Sequence, residues 1–204
     1  MATTTVLATG LMTELQVVNK MLRAVDLAPV TSITGTLDLE VGAAVERFSE
    51  INRDVQTLGW DFNSRKGVKY LRNTDNEVTL GTNVLSIKPV GNTRYKDYTM
   101  RGGKVYDRSE VNGTTVGTVL AEDPYLDIIE LVNFADLPQA ARSYIAHRAV
   151  REHERFDSAD DTKTEIAGKN EMDAWTALIN DHSVMHDETL EDNPDVGSTI
   201  FGRA

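Results

Sequence analysis

The longest regular pattern in the chain covers residues 40–63, EVGAAVERFSEINRDVQTLGWDFN. Its apolar residues are Val41, Val45, Phe48, Ile51, Val55 and Leu58, each three or four positions from the next. That spacing predicts one amphipathic helix with a stripe turned toward a core. Asp38 or Thr36 stands where the helix start is capped, and Gly59 where a left-handed residue closes its last turn. Trp60 is then expected to fold back over Val55, with Phe62 as a second aromatic anchor.

A shorter helix precedes it. Thr13 and Gln16 form a capping-box pair, and Leu15, Val18, Leu22 and Val25 supply the stripe. Pro29 ends that region and residues 30–37 connect it to the long helix, while residues 1–10 read as a loose leader rich in Thr. After Asn63 the period falls to about two, and short strands are expected at 68–71, 78–80, 84–90, 95–100, 104–108 and 127–132. Turn residues separate them at 73–76, 81–83, Gly91-Asn92, Gly102-Gly103 and Asn112-Gly113. Gly102-Gly103 is the strongest hairpin signal, because a primed two-residue turn requires positive φ at both positions.

The helical period then returns. Asp136, Pro138 and Gln139 announce a helix to about residue 156, with Leu137, Ala141, Tyr144, Ile145 and Ala149 inward. A last helix over 161–181 carries Ile166, Met172, Trp175, Leu178 and Ile179, and Gly168 weakens its middle. The remaining residues hold Pro194 and Gly197 and close on Ile200 and Phe201, an apolar pair expected to contact a partner. The predicted class is α+β. A helical bundle is made by the N- and C-terminal segments 11–63 and 135–182, with an inserted small antiparallel β module at 64–134 and an extended C-terminal tail at 183–204.

Composition narrows the function. The chain has 204 residues with 40% hydrophobic and 26% charged, in the range of a soluble globular domain. No apolar run approaches the ~18 residues of a membrane span, and residues 1–11 are too short and uncharged for a secretory signal. The absence of cysteine excludes disulfides and thiolate metal sites. The net charge of −11, from 32 acidic and 21 basic residues, argues against a protein that grips nucleic-acid phosphates. It suits a wall past which nucleic acid slides, since an acidic surface repels it.

Candidate chemistry is sparse. The sequence has no nucleophile elbow, phosphate-binding loop, dinucleotide fingerprint or zinc-protease motif. His182 and His186 have the helical spacing of metal ligands, but a solvated helix end accounts for them; His147 and His153 do not share a helix face well. Glu122-Asp123 could be imagined as a glycosidase couple, a reading that rests on a separation that sequence does not supply. Arg101-Gly102-Gly103 is better read as a hairpin than as an RNA-binding repeat, and Trp60 and Trp175 as packing residues than as ligand platforms. No cofactor, metal or catalytic residue is expected.

Three stretches in order carry a resemblance: INRDVQTLGWDFN at 51–63, RGGKVYDR at 101–108, and DIIELVNFADLPQAARSYIAHRAVREHERF at 127–156. Together they resemble the tail tubular protein A family of short-tailed bacteriophages, over about residues 11–178. The resemblance implies a non-enzymatic head-to-tail adaptor of the virion tail, put together in the host cytoplasm. It implies a homo-oligomeric ring, a dodecamer, between the portal protein and a nozzle of tail tubular protein B, with tail fibres docked at the junction. DNA would pass through the lumen without specific binding. Trp60, Phe62, Gly102, Gly103, Tyr106, Asp107 and Arg108 fall in the matching stretches and are expected to be structural. Two other classes remain: a virion-associated glycan hydrolase of the tail, and an oligomeric interaction protein of a host cell.

Overall fold

The computed structural model describes residues 10–111, 114–157 and 161–185. The leader at 1–9, the Asn112-Gly113 turn and residues 186–204, with Ile200 and Phe201, lie outside the described residues. Among the described residues the fold is mixed α+β. Helices α1 (Glu14–Ala24) and α2 (Leu39–Thr57) lead into strands β1 (Ser64–Lys69), β2 (Val84–Pro89), β3 (Tyr98–Arg101), β4 (Lys104–Val111), β5 (Thr114–Gly117) and β6 (Tyr125–Glu130). Helices α3 (Gln139–Asp157) and α4 (Asp161–Met185) follow.

The helices run alternately up and down. α1 starts with the capping box in place, Thr13 Oγ1 accepting from the Gln16 amide at 3.3 Å and Gln16 Oε1 from the Thr13 amide at 2.9 Å. Its buried residues are Val17, Val18, Met21 and Leu22, with Leu15 and Val25 only half-buried. Val18 and Leu22 are thus core as the spacing predicts, and the buried face turns toward Val17 and Met21 rather than Leu15 and Val25. α2 buries Val41, Ala44, Phe48, Ile51 and Val55, whereas Leu58 is 59% exposed beyond the helix end. Asp38 is its N-cap residue but makes no side-chain cap bond. Its carboxylate is left to favour the helix dipole through charge.

Two expectations at the second half of the bundle are corrected. Asp136 does not cap α3; it ends a 3₁₀ turn, Phe134–Asp136, and α3 begins only at Gln139, after Pro138. The prolyl ring cannot donate, so the helix ladder opens with the Arg142 amide bonding the Pro138 carbonyl at 3.1 Å. α4 runs unbroken through Gly168 and on to Met185, beyond the expected end at 181. It packs chiefly on α3 and buries Ala167, Ala174 and Leu178, while Ile166 and Met172 face outward. Alanines let the two helix backbones approach, and the larger residues are pushed to the rim.

The strands form two antiparallel three-stranded sheets, β1-β6-β2 and β3-β4-β5. Val78, Leu80, Val84, Tyr98, Val105, Leu120, Leu126 and Ile128 make their common core, separate from the core of the bundle. β1 begins at Ser64, earlier than expected, and carries a bulge between Arg65 and Val68 where the Gly67 amide bonds Asp127 Oδ1 at 2.7 Å. That bulge breaks the alternation and hides the strand from a period-two reading. Residues 78–80 are not a full strand but an isolated bridge onto β4, from Thr79 to Lys104. β5, with the sequence TTVG, is too short to have announced itself.

Candidate functional site: the joint between helices and strands

The bundle meets the strands at the foot of α2. Gly59 has φ +78°, which turns the chain out of the helix, and a Cβ there would come within 2.6 Å of Ile129 Cδ1. The left-handed backbone favours glycine there, and a Cβ would also push the tip of Ile129 aside. Trp60 is buried, and its Nε1 donates to the Val55 carbonyl at 2.8 Å, in the last turn of the helix. The Phe62 ring stacks on Trp60 at 6.3 Å, and Trp175 of α4 meets Trp60 edge-on at 5.5 Å. Tyr144 of α3 touches Trp175 at 4.9 Å, so one aromatic cluster joins the segment after α2 to α3 and α4.

Two buried amides tie this cluster to the strands. Gln56 Nε2 donates to the Val132 carbonyl at 2.9 Å, and its Oε1 accepts from the Val132 amide at 2.8 Å. The side chain thus bonds both backbone groups of one residue, as an antiparallel neighbouring strand would. Asn63 Oδ1 accepts from the Trp60 amide at 2.8 Å, while its Nδ2 donates to the carbonyls of Gln56 at 2.7 Å and Glu130 at 3.0 Å. Sequence reading singled out Trp60 and Phe62 but passed over Gln56 and Asn63. Neither stands at a stripe position, so periodicity carried no signal for them.

Arg142 is the third buried polar group at the foot. Nε donates to the Leu137 carbonyl at 2.8 Å, one terminal nitrogen to Met12 at 2.9 Å and the other to Ala135. Gln139 Oε1 accepts from the Met12 amide at 3.0 Å. Two side chains of α3 thereby fix the approach to α1, and Gln139 is engaged there rather than in a capping box. His182, read as part of a solvated helix end, instead lies edge-on to Trp60 at 5.3 Å with Nδ1 3.2 Å from Asp61 Oδ2. Its proposed metal companion, His186, lies outside the described residues.

The remaining sequence-selected residues lie in the β3–β4 hairpin. Gly102 and Gly103 have φ +58° and +71°, and Arg101 pairs with Lys104 across them. Tyr106 supports the Arg101 guanidinium 4.2 Å from its ring centroid. Asp107 is buried and accepts from the Ser109 amide at 2.9 Å, and Arg108 pairs with Asp97. At the base of the hairpin Glu77 bridges Lys104 and Thr118, whose hydrogen bonds hold its carboxyl below the usual value. The structure therefore separates the candidates: Trp60 and Phe62 belong to the joint, and residues 102–108 to the hairpin.

Glu122 and Asp123 have surface roles. Glu122 accepts from the Tyr95 hydroxyl at 3.1 Å and lies 3.7 Å from Lys96. The Arg72 amide and guanidinium, at 3.2 and 3.1 Å, hold the Asp123 carboxyl below its ordinary value. A carboxyl held anionic is the opposite of a general acid. Among the described residues no cluster of three or more His, Asp or Glu is set to hold a metal, and no helix is long and apolar enough to cross a membrane.

The family described as tail tubular protein matches residues 15–188, a span holding both the joint and the hairpin. The chain belongs to the tail tubular protein family. It is a structural component of the phage tail. No curated protein matches it in sequence.

Proposed function

We propose that this tail tubular protein is the adaptor between head and tail, a ring of identical subunits with the portal protein on one side and the nozzle of tail tubular protein B on the other. The observation that carries the reading is the family match across residues 15–188. The order in which the three resembling stretches occur supports the tail tubular protein A type. In this reading the bundle and the strands are two modules held at a fixed angle by Gln56, Trp60 and Asn63, so that the lumen keeps its diameter while DNA passes. The hairpin at Gly102-Gly103 presents a contact for nozzle or fibre, and Ile200 and Phe201 dock on a neighbouring subunit or the portal. The protein itself performs no chemistry, and its acidic balance keeps DNA mobile.

Negative-stain imaging of the purified protein, alone and with purified portal, tests the proposal. Closed rings seated coaxially on the portal are expected. Closed dimers, or particles that leave the portal bare at micromolar concentration, would overturn it. A glycan-degradation assay on the same sample separates the hydrolase class, and turnover that is lost on Asp123→Asn would favour that class instead.

A further inference from the structure

Charge is unevenly shared along the chain. Residues 64–130 hold 10 Lys and Arg against 9 Asp and Glu, whereas the rest holds 11 against 23. Among the described residues, exposed cations outside any ion pair gather at one sheet, and exposed acids outside any ion pair gather on one helix. On the β1-β6-β2 sheet, the register places Lys69 beside Tyr125 and Lys88 beside Asp127, on the face opposite the buried Leu126 and Ile128. The Lys69 ammonium lies 5.9 Å from the Tyr125 ring centroid. Lys66 at the bulge and Arg94 after the Gly91–Thr93 turn are exposed nearby, and Tyr95 is 71% exposed. Lys66, Lys88 and Arg94 form no ion pair among the described residues.

The outward face of α2 has the opposite character. Glu46, Glu50 and Asp54 follow at intervals of four and are exposed, so they lie in one line on the helix. None forms an ion pair among the described residues, and like charges at this spacing repel each other. Arg53 is the cation on this face, and Leu39, 86% exposed, stands at its far end. Glu46 to Asp54 spans about 12 Å of helix, which fits within the about 17 Å of a six-residue strand.

We propose that the outer face of the β1-β6-β2 sheet docks on the α2 stripe of a second copy of this chain. The contact is head-to-tail, using a different surface on each partner, which generates a ring when its rotation closes. It rests on the ring reading above and names the surfaces that would make the ring. DNA is the weaker occupant for this sheet, because a chain of net charge −11 repels it at long range.

The test uses two charge-reversed variants of the full chain. The sheet variant carries Lys66→Glu, Lys88→Glu and Arg94→Glu, and the helix variant carries Glu46→Lys, Glu50→Lys and Asp54→Lys. Sedimentation velocity reads assembly, and circular dichroism reads folding. Each variant alone is expected to assemble at least tenfold less readily than wild type. An equimolar mixture is expected to assemble again, because in alternating order every contact joins opposite charges. Wild-type assembly is expected to weaken as salt rises.

Normal assembly of either variant overturns the proposal while leaving the ring reading intact, as does failure of two folded variants to rescue each other. A sheet variant that assembles normally but loses binding of linear duplex DNA also overturns it, and assigns that face to DNA. A wild-type protein that stays monomeric at all concentrations overturns both this proposal and the ring reading. Where a triple variant fails to fold, the single reversals Arg94→Glu and Glu50→Lys, both at exposed positions, carry the same rescue experiment.

Discussion

At the scale of single residues, the joint is held by buried polar side chains whose partners are backbone groups. Gln56 serves both the amide and the carbonyl of Val132, so truncating it strands a donor and an acceptor in a closed interior. Gln56→Ala is expected to cost about 2 to 6 kcal/mol, from about one to three for each group left unsatisfied. Chemical denaturation measures it, and a loss under 1 kcal/mol would mean that water replaces the amide. Trp60→Ala removes a buried ring and its bond to Val55, with an expected loss of about 3 to 5 kcal/mol in the same assay. An unchanged midpoint would contradict the joint. Trp60 was legible from its place after Gly59 in a regular stripe. Gln56 was not, because its partner Val132 is 76 residues away and only the folded topology brings them together.

At the scale of elements, periodicity located the four helices and most strands but misplaced several faces. α1 and α4 show why. Spacing identifies a stripe to within about one position, and the partner decides which edge of it is buried. On α4 the partner surface selects Ala167 and Ala174 over Ile166 and Met172, against the order of hydrophobicity. β1 escaped full reading because its bulge breaks alternation, and β5 because four residues carry too little pattern. The hairpin was legible because Gly-Gly states a backbone requirement rather than a packing preference. Replacing Gly102 and Gly103 together by Val is expected to lower the yield of folded protein severalfold, since β-branched residues resist positive φ. Normal yield and normal docking would place the turn elsewhere.

Below the hairpin, Glu77 supplies a pH-dependent tie. Its carboxyl is held low by the hydrogen bonds from Lys104 and Thr118, so the folded state favours the anion. The stabilisation is present above the ordinary carboxyl value of 4.5 and is lost as pH falls through the depressed range beneath it. Glu77→Gln is therefore expected to melt below wild type at pH 7, with the gap closing as pH falls through the depressed range. A gap that persists at low pH would remove the charge from the explanation.

At the scale of the whole molecule, the connectivity sets what the fold can present. α1 and α3 start at the foot of the bundle while α2 and α4 end there, as the contacts of Met12 with Gln139 and Arg142, and of His182 with Asp61, require. The strands leave and rejoin the bundle at this same end, through Asn63 and Phe134. The opposite end carries the α1–α2 connector, where Lys163 at the start of α4 pairs with Asp26 at 2.8 Å. With both connections at one end, the long sides of the helices and the outer faces of the sheets are separate surfaces. Sequence alone supplied the family and the α+β class but not this arrangement, because which helix ends share a side is a property of packing.

The most direct test of the adaptor role is made in infected cells. A phage deleted for this gene is expected to accumulate DNA-filled heads without tails, counted by electron microscopy. Adding the purified protein to those heads, followed by nozzle, is expected to restore tails and infectivity. Complete tails on heads formed without the protein would contradict the account, because a junction cannot form across a missing adaptor.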